Sequence, residues 1–368
     1  MGLSPHDRYL STRHFASLDG LRCLAILPVI WHHATPRVLP GLLGKGPVGV
    51  DLFFCISGFL ITTLLLRESR TRGQVALGAF YVRRALRIFP LYFLTLVGYT
   101  IFAALLAPAD PARAHFFDLL PFYATFTANW FGNFDVAFPV LFAFAWSLCV
   151  EEQFYALWPG TLLALGRSKA ALALLALIGL DALAEHGLLN GVLPQGTLAL
   201  RIVTSFCTPI GLGAALALLL DDERAHSRIC EWLGFRWMPM IALAGALALL
   251  AIPNGPPFAY QLALTTLVGA CVSNEQHALC GLLQARPVSY LGRISYGLYL
   301  LHPCCIGLVR KFFPHYVGSA LVVFLLSLPL AVALAAMSHR YFESYFLRFR
   351  RSFLVPTAAP ELAPKATP

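Results

Sequence analysis

Ten times along this chain, 15 to 25 residues run with little charge between polar breaks. A stretch of about 20 apolar residues, wound as a helix, matches the hydrocarbon thickness of a bilayer. Few folds other than a bundle of membrane-spanning helices can accommodate such a recurrence. The approximate spans are 18–36, 48–66, 84–106, 141–165, 170–187, 198–220, 238–252, 258–274, 292–310 and 317–339. A partial or interfacial helix is expected within 115–131. Composition agrees: 58% of the residues are hydrophobic and 12% charged, about half the charge of a soluble protein. With a mean hydropathy of +0.70, a soluble globule, a disordered chain, a coiled coil and a secreted disulfide scaffold are excluded.

The basic residues orient the bundle. With the N-terminus inside, the inner segments hold 20 of the 27 Lys and Arg and the outer loops five. Basic residues hold loops on the cytoplasmic side, so both termini are expected there. The same bias explains the +9 formal charge without any nucleic-acid partner. The expected fold is therefore an all-α integral membrane protein of about ten transmembrane helices. Residues 1–17 form a cytoplasmic segment, 18–345 the membrane domain, and 346–368 a basic, then Pro/Ala-rich tail expected to be disordered. An Arg, two His and a Pro interrupt the first span, which argues against a simple cleavable signal. The nine cysteines lack metal-site or disulfide spacing and read as small buried hydrophobes.

Ionisable residues inside spans are expensive and mark functional positions. The first span, SLDGLRCLAILPVIWHHA, carries Asp19, Arg22, His32 and His33. Eleven helical steps bring Arg22 and His33 back to nearly one face, about 16 Å apart along the axis, whereas His32 points about 100° away. They form a functional stripe, or else Arg22 snorkels inward and the histidines sit at the outer interface. In GVDLFFCISGFL, Asp51 either caps the second helix or serves the site. Ser57-Gly58 reads as a close-packing spot rather than a nucleophile, there being no G-x-S-x-G elbow. Arg83, Arg84 and Arg87 open the third span, either as a positive-inside anchor or as guanidinium forks for phosphate. Aromatic belts account for Trp146, Tyr155 and Trp158. They do not account for the adjacent carboxylates Glu151 and Glu152, only one of which can face a given pocket. Lastly, SYGLYLLHP lines up Tyr296, Tyr299 and His302 toward the outer side, with His302-Pro303 readable also as a helix-end signal.

In this order, the five segments resemble the acyltransferase-3 family of bacterial membrane O-acyltransferases, over nearly the whole membrane region. The resemblance implies a ten-helix core that moves an acyl group, usually acetyl from acetyl-CoA, to a carbohydrate hydroxyl. Its arginine/ten-residue/histidine pattern falls on Arg22 and His33, which selects His33 over His32. Some members carry Arg-x-Arg at the start of the third helix; here Leu86 stands in the second place, which loosens the individual arginine assignments. Other members append an extracytoplasmic domain, whereas this sequence is expected to be of the stand-alone kind.

The expected protein is thus a multi-pass acyltransferase of the bacterial inner membrane. His33 serves as base or acyl carrier, Glu151 pairs with a protonated histidine, and Arg22 belongs to the catalytic set. Arg83, Arg84 and Arg87 bind the phosphates of acyl-CoA, with Asp51, Ser57, Glu152, Tyr296 and His302 supporting. The partners are a carbohydrate or glycolipid acceptor and membrane lipids, and no metal is required. The competing reading is a transporter that uses the same His, Arg and Glu residues as a proton or substrate path. A non-catalytic membrane anchor would leave the buried charges without a reason.

Overall fold

A computed structural model describes residues 4–35, 44–134, 136, 140–185, 187–194, 196–253 and 255–350. Arg37, Asp135 and most of the tail therefore lie outside the described residues. Among those described, every regular element is helical. In chain order these are α1 (Pro5–Ser11), α2 (Ala16–Ala34), α3 (Val48–Arg72), α4 (Leu77–Ala104), α5 (Pro111–Ala124) and α6 (Ala128–Phe131). There follow α7 (Trp146–Glu185), α8 (Leu198–Thr204), α9 (Thr208–Asp221), α10 (Glu223–Leu233), α11 (Met238–Ala251) and α12 (Pro257–Ser273). The last are α13 (Cys280–Leu283), α14 (Arg286–Arg293), α15 (Ser295–Phe312), α16 (Ala320–Met337) and α17 (Ser344–Arg350), with a π-helical turn at Ser338–Glu343 between α16 and α17. Five helical runs are long and apolar enough to cross a membrane, and seven if each of two bent pairs counts as one. Large apolar side chains such as Val97, Ile101, Leu105, Leu321 and Leu325 remain exposed on their outer faces. This is the surface of a multi-pass membrane protein, whose lipid contacts replace water.

Local chemistry explains the element boundaries. Asp110, Thr197, Asp222 and Ser319 each accept a backbone N–H in the first turn of the helix that follows, satisfying donors that have no intrahelical partner. The fourth and fifth expected spans form one run, α7, kinked at Gly166, where φ is 71°. Only glycine enters that left-handed region without strain. The sixth span is broken, with α8 separated from α9 just before Pro209. The third begins earlier than expected, at Leu77, so Arg83, Arg84 and Arg87 lie inside α4 rather than at its start. The expected partial helix within 115–131 corresponds to α5 and α6.

Two apolar clusters share α2 and α3 as a common wall, one facing α4, α7, α15 and α16, the other facing α9 to α12. The tightest crossing is between α3 and α9. Gly58 lies against the backbone of Ile210 and Ala214, and Gly213 against that of Cys55 and Phe59. Each helix thus uses a missing Cβ to admit the other's main chain, as small residues do at membrane helix crossings.

One end of the bundle is tied by polar contacts. Asp221, buried at the end of α9, pairs with Arg70 of α3 at 2.9 Å and with Arg167, beside the kink in α7, at 2.5 Å. Arg67 donates to the carbonyls of Thr12 and Tyr9 at 2.6 and 3.0 Å, holding α1 to the same end. There too, Ser17 meets the buried His277 at 2.9 Å and Gln284 at 3.1 Å.

Candidate active site

A cavity opens between α2, α3, α4, α7 and α15. Arg22, Ser57, Arg84, Arg87 and Glu151 line it, and Tyr155, Ser147, Tyr296 and Tyr299 complete its polar wall. Three guanidinium groups and one carboxylate therefore face one space inside the membrane domain. The carboxylate is held firmly: Glu151 Oε1 accepts hydrogen bonds from Ser57 Oγ and from Tyr155 OH. Tyr155 is one helical turn on from Glu151, so α7 presents both on one face. The Arg84 guanidinium lies over the Tyr155 ring, 5.2 Å from its centroid, as cations do over aromatic faces. Arg22 reaches Asp19 at 3.4 Å, and Asp19 in turn lies 3.3 Å from His14.

The far wall leads to the histidines. Tyr299 OH donates to the Phe144 carbonyl at 2.8 Å and lies 2.6 Å from Ser147 Oγ. One turn further on, the fully buried His302 meets His33 edge to face, with ring centroids 4.8 Å apart. His33 is outside the lining of the cavity but is joined to it through this wall. Both imidazoles have a defined tautomer. His33 Nδ1 lies 2.9 Å from the Val29 carbonyl and His302 Nδ1 2.8 Å from that of Tyr299. A carbonyl only accepts, so Nδ1 carries the hydrogen and Nε2 the lone pair in each ring. Arg310 donates to the carbonyls of His33 and Ala34 at 3.1 and 3.3 Å, which fixes the C-terminal end of α2.

The other sequence candidates separate. Arg83 does not join Arg84 and Arg87 in the lining; it pairs with Glu68 of α3 at 2.9 Å. Glu152, next to Glu151 on the helix, turns away from the cavity lining. Asp51 accepts from Tyr260 of α12 at 2.9 Å, joining two helices. Gly58 sits at the packing crossing, and Ser57 turns its hydroxyl to Glu151. Tyr155 and Trp158 are not belt residues, because both are buried and Trp158 donates to Thr62 at 2.8 Å. The i,i+4 spacing from Glu151 was the available signal for Tyr155. Arg310, at the end of the ninth expected span, carried no sequence signal for its place beside His33.

The family follows from comparison over the same segments. Residues 15–337 match the family model Acyl_transf_3, described as an acyltransferase domain. The chain belongs to the acyltransferase-3 family. Among curated proteins it is 28% identical to the peptidoglycan O-acetyltransferase OatA of Listeria monocytogenes over 317 residues, 79% of this chain and 49% of that protein. It is 29% identical to YrhL of Bacillus subtilis over 313 residues, 79% of this chain and 48% of the other, whose name carries the same activity as an unproven assignment. The chain thus spans about half the length of these relatives. No solved structure matches it.

Proposed function

We propose that this protein is an acyl-CoA-dependent O-acyltransferase of the bacterial inner membrane, moving an acyl group, acetyl in the first instance, to a hydroxyl of a carbohydrate or glycolipid. The single observation that carries this reading is the cavity lined by Arg22, Arg84, Arg87 and the fixed Glu151, joined through the Tyr299 wall to a histidine pair with free Nε2 lone pairs. A transfer of this kind needs a base for the hydroxyl and positive charge for the oxyanion of the tetrahedral intermediate. His33 takes the hydroxyl proton through Nε2 and passes it to the leaving thiolate. Arg22, about 16 Å along α2 from His33, joins Arg84 and Arg87 on the donor, in the cavity that Glu151 also lines. Arg84 and Arg87 receive the phosphate-bearing end of the donor, and Arg83 pins the turn between α3 and α4.

Ten spans with both termini cytoplasmic supply the two-sided geometry. Within the domain reading of 1–17, 18–345 and 346–368, α8 with α9 makes one interrupted run, and α1 with α2 and α10 with α11 are the bent pairs. The contacts that gather α1, Arg70, Arg167 and Asp221 at one end support a common side for those loops. The donor then comes from the cytoplasmic end and the acceptor from the His33 end. The relatives named for peptidoglycan O-acetylation make a cell-wall glycan the first acceptor to assay.

The experiment uses sealed vesicles of both orientations containing the full chain, with radiolabelled acetyl-CoA on one side and glycan fragments on the other. Label appearing on glycan only with cytoplasmic donor supports the reading. No acetyl transfer, and no binding of acetyl-CoA to purified protein, would leave the transporter.

A further inference from the structure

His302 is the most completely buried titratable side chain in the outer half of the candidate site, with no exposed surface. Its Nδ1–H is used by the Tyr299 carbonyl, while Nε2 is buried without a hydrogen-bond partner. A buried acceptor left unmade costs on the order of 1–3 kcal/mol. A buried acceptor without a partner calls for an explanation, and a catalytic role is one of the few available. The neighbour able to bring a proton or a donor is His33, whose ring stands at 70° to it with centroids 4.8 Å apart.

We propose that His302 is a positioning residue for His33: its ring, with Nδ1–H held by the Tyr299 carbonyl and Nε2 unpaired, stabilises the imidazolium that His33 becomes when it accepts a proton. The inference rests on His33 being the base. In that step the acceptor O–H bond breaks, its proton bonds to His33 Nε2, and the oxygen attacks the thioester carbon. The C–S bond then breaks, and the proton leaves His33 for the thiolate sulfur. His302 gains and loses no proton, since two imidazolium rings at this separation would repel. The pair carries one charge at a time.

The need for such a partner follows from what else faces His33. Arg310 on α15 places its guanidinium at the His33 carbonyl, and the His32 ring lies 5.4 Å from that of His33 on α2 itself. The guanidinium opposes a cation there, and a protonated His32 would do the same. α16 meets this end of α2 through Phe324 on Trp31, which brings no charge. The turn packed on His32 carries Lys45, and Asp51 of α3 is bonded to Tyr260. Among the described residues no carboxylate pairs with His33. His302 is the neutral, polarisable group in direct ring contact with it.

The test follows the protonation of His33 itself by the 13Cε1 resonances of labelled histidine in the full chain in nanodiscs, assigned by the signal lost in His33→Gln. In the unaltered protein His33 titrates while His302 stays neutral; His302 taking a proton first would overturn the proposal. In His302→Leu the His33 midpoint falls by about one pH unit, a tenfold change in its protonation constant. In His302→Gln, which restores an acceptor oxygen, it falls by less. An unmoved midpoint in a folded His302→Leu protein makes His302 mere packing. If His302→Leu does not fold, His302→Gln and the order of titration in the unaltered chain decide. The base reading fails separately, and only, when His33→Ala still transfers acetyl.

Discussion

Ser57 of α3 donates its hydroxyl hydrogen to Glu151 of α7, joining two helices whose partners stand 94 residues apart in sequence. Tyr155 donates to the same oxygen, so the only carboxylate among the cavity-lining residues is oriented from two sides. Ser57→Ala is expected to weaken the α3–α7 contact by about 1.5–3 kcal/mol, as for a hydrogen bond to a charged group. Glu151→Gln keeps an acceptor for both donors but removes the charge between the arginines. It should retain the thermal midpoint of the protein in detergent while acetyl transfer falls at least about 10-fold. Equal loss of stability and activity in both variants would make Glu151 a structural group only.

Within α2 the two histidines should behave differently. His33→Ala is expected to abolish transfer with normal membrane insertion, and His32→Ala to be mild. His33 alone contacts the His302 ring, and His32 faces the turn at Gly46. A transfer assay on both variants checks this, and the reverse order would overturn the assignment of the face.

The arginines of α4 divide by position. Arg87→Gln should raise the KM for acetyl-CoA by about 10- to 150-fold, the equivalent of one charge-assisted contact of about 1.5–3 kcal/mol. Arg83→Gln breaks the pair with Glu68 and should lower stability or disturb topology at an unchanged KM. Cysteine accessibility mapping of the loop between α3 and α4 separates topology from binding. Matching KM values in the two variants would remove the distinction.

At the α3–α9 crossing, a methyl group added at Gly58 would meet the backbone of Ile210, and one at Gly213 that of Cys55. Gly58→Ala and Gly213→Ala are each expected to lower stability by about 1–3 kcal/mol, the usual penalty of overpacking. Thermal unfolding monitored by size exclusion provides the measurement. Unchanged midpoints would mean the helices separate freely at this point.

Acid should loosen the end of the bundle that holds Ser17. His277, in the loop after α12, is 1% exposed, and burial lowers its pKa from the ordinary 6.5. The folded state then binds fewer protons than the unfolded one, so this contribution to stability is present above about pH 6.5 and is lost as pH falls through the lower folded value. His277→Asn should flatten the stability profile below that pH. A profile with the same slope would place the acid sensitivity elsewhere.

Much of this molecule is legible in one dimension. Runs near bilayer length, with basic residues between them, dictate a helical bundle in lipid. Helix and closed barrel both satisfy their own hydrogen bonds there, and of the two only the helix needs continuous apolar runs of about 20 residues. The expense of burying charge singles out Arg22, Glu151 and the histidines, and helical spacing puts Arg22 and His33 on one stripe. Periodicity does not reveal which of three nearby arginines reaches a cavity. Arg83 is drawn off by Glu68, from another helix. Nor does it reveal that Arg310 reaches back to the end of α2, or that His302 lies against His33. Those relationships depend on helix packing, which brings together side chains from distant spans, and a local pattern carries no information about a partner more than 200 residues away.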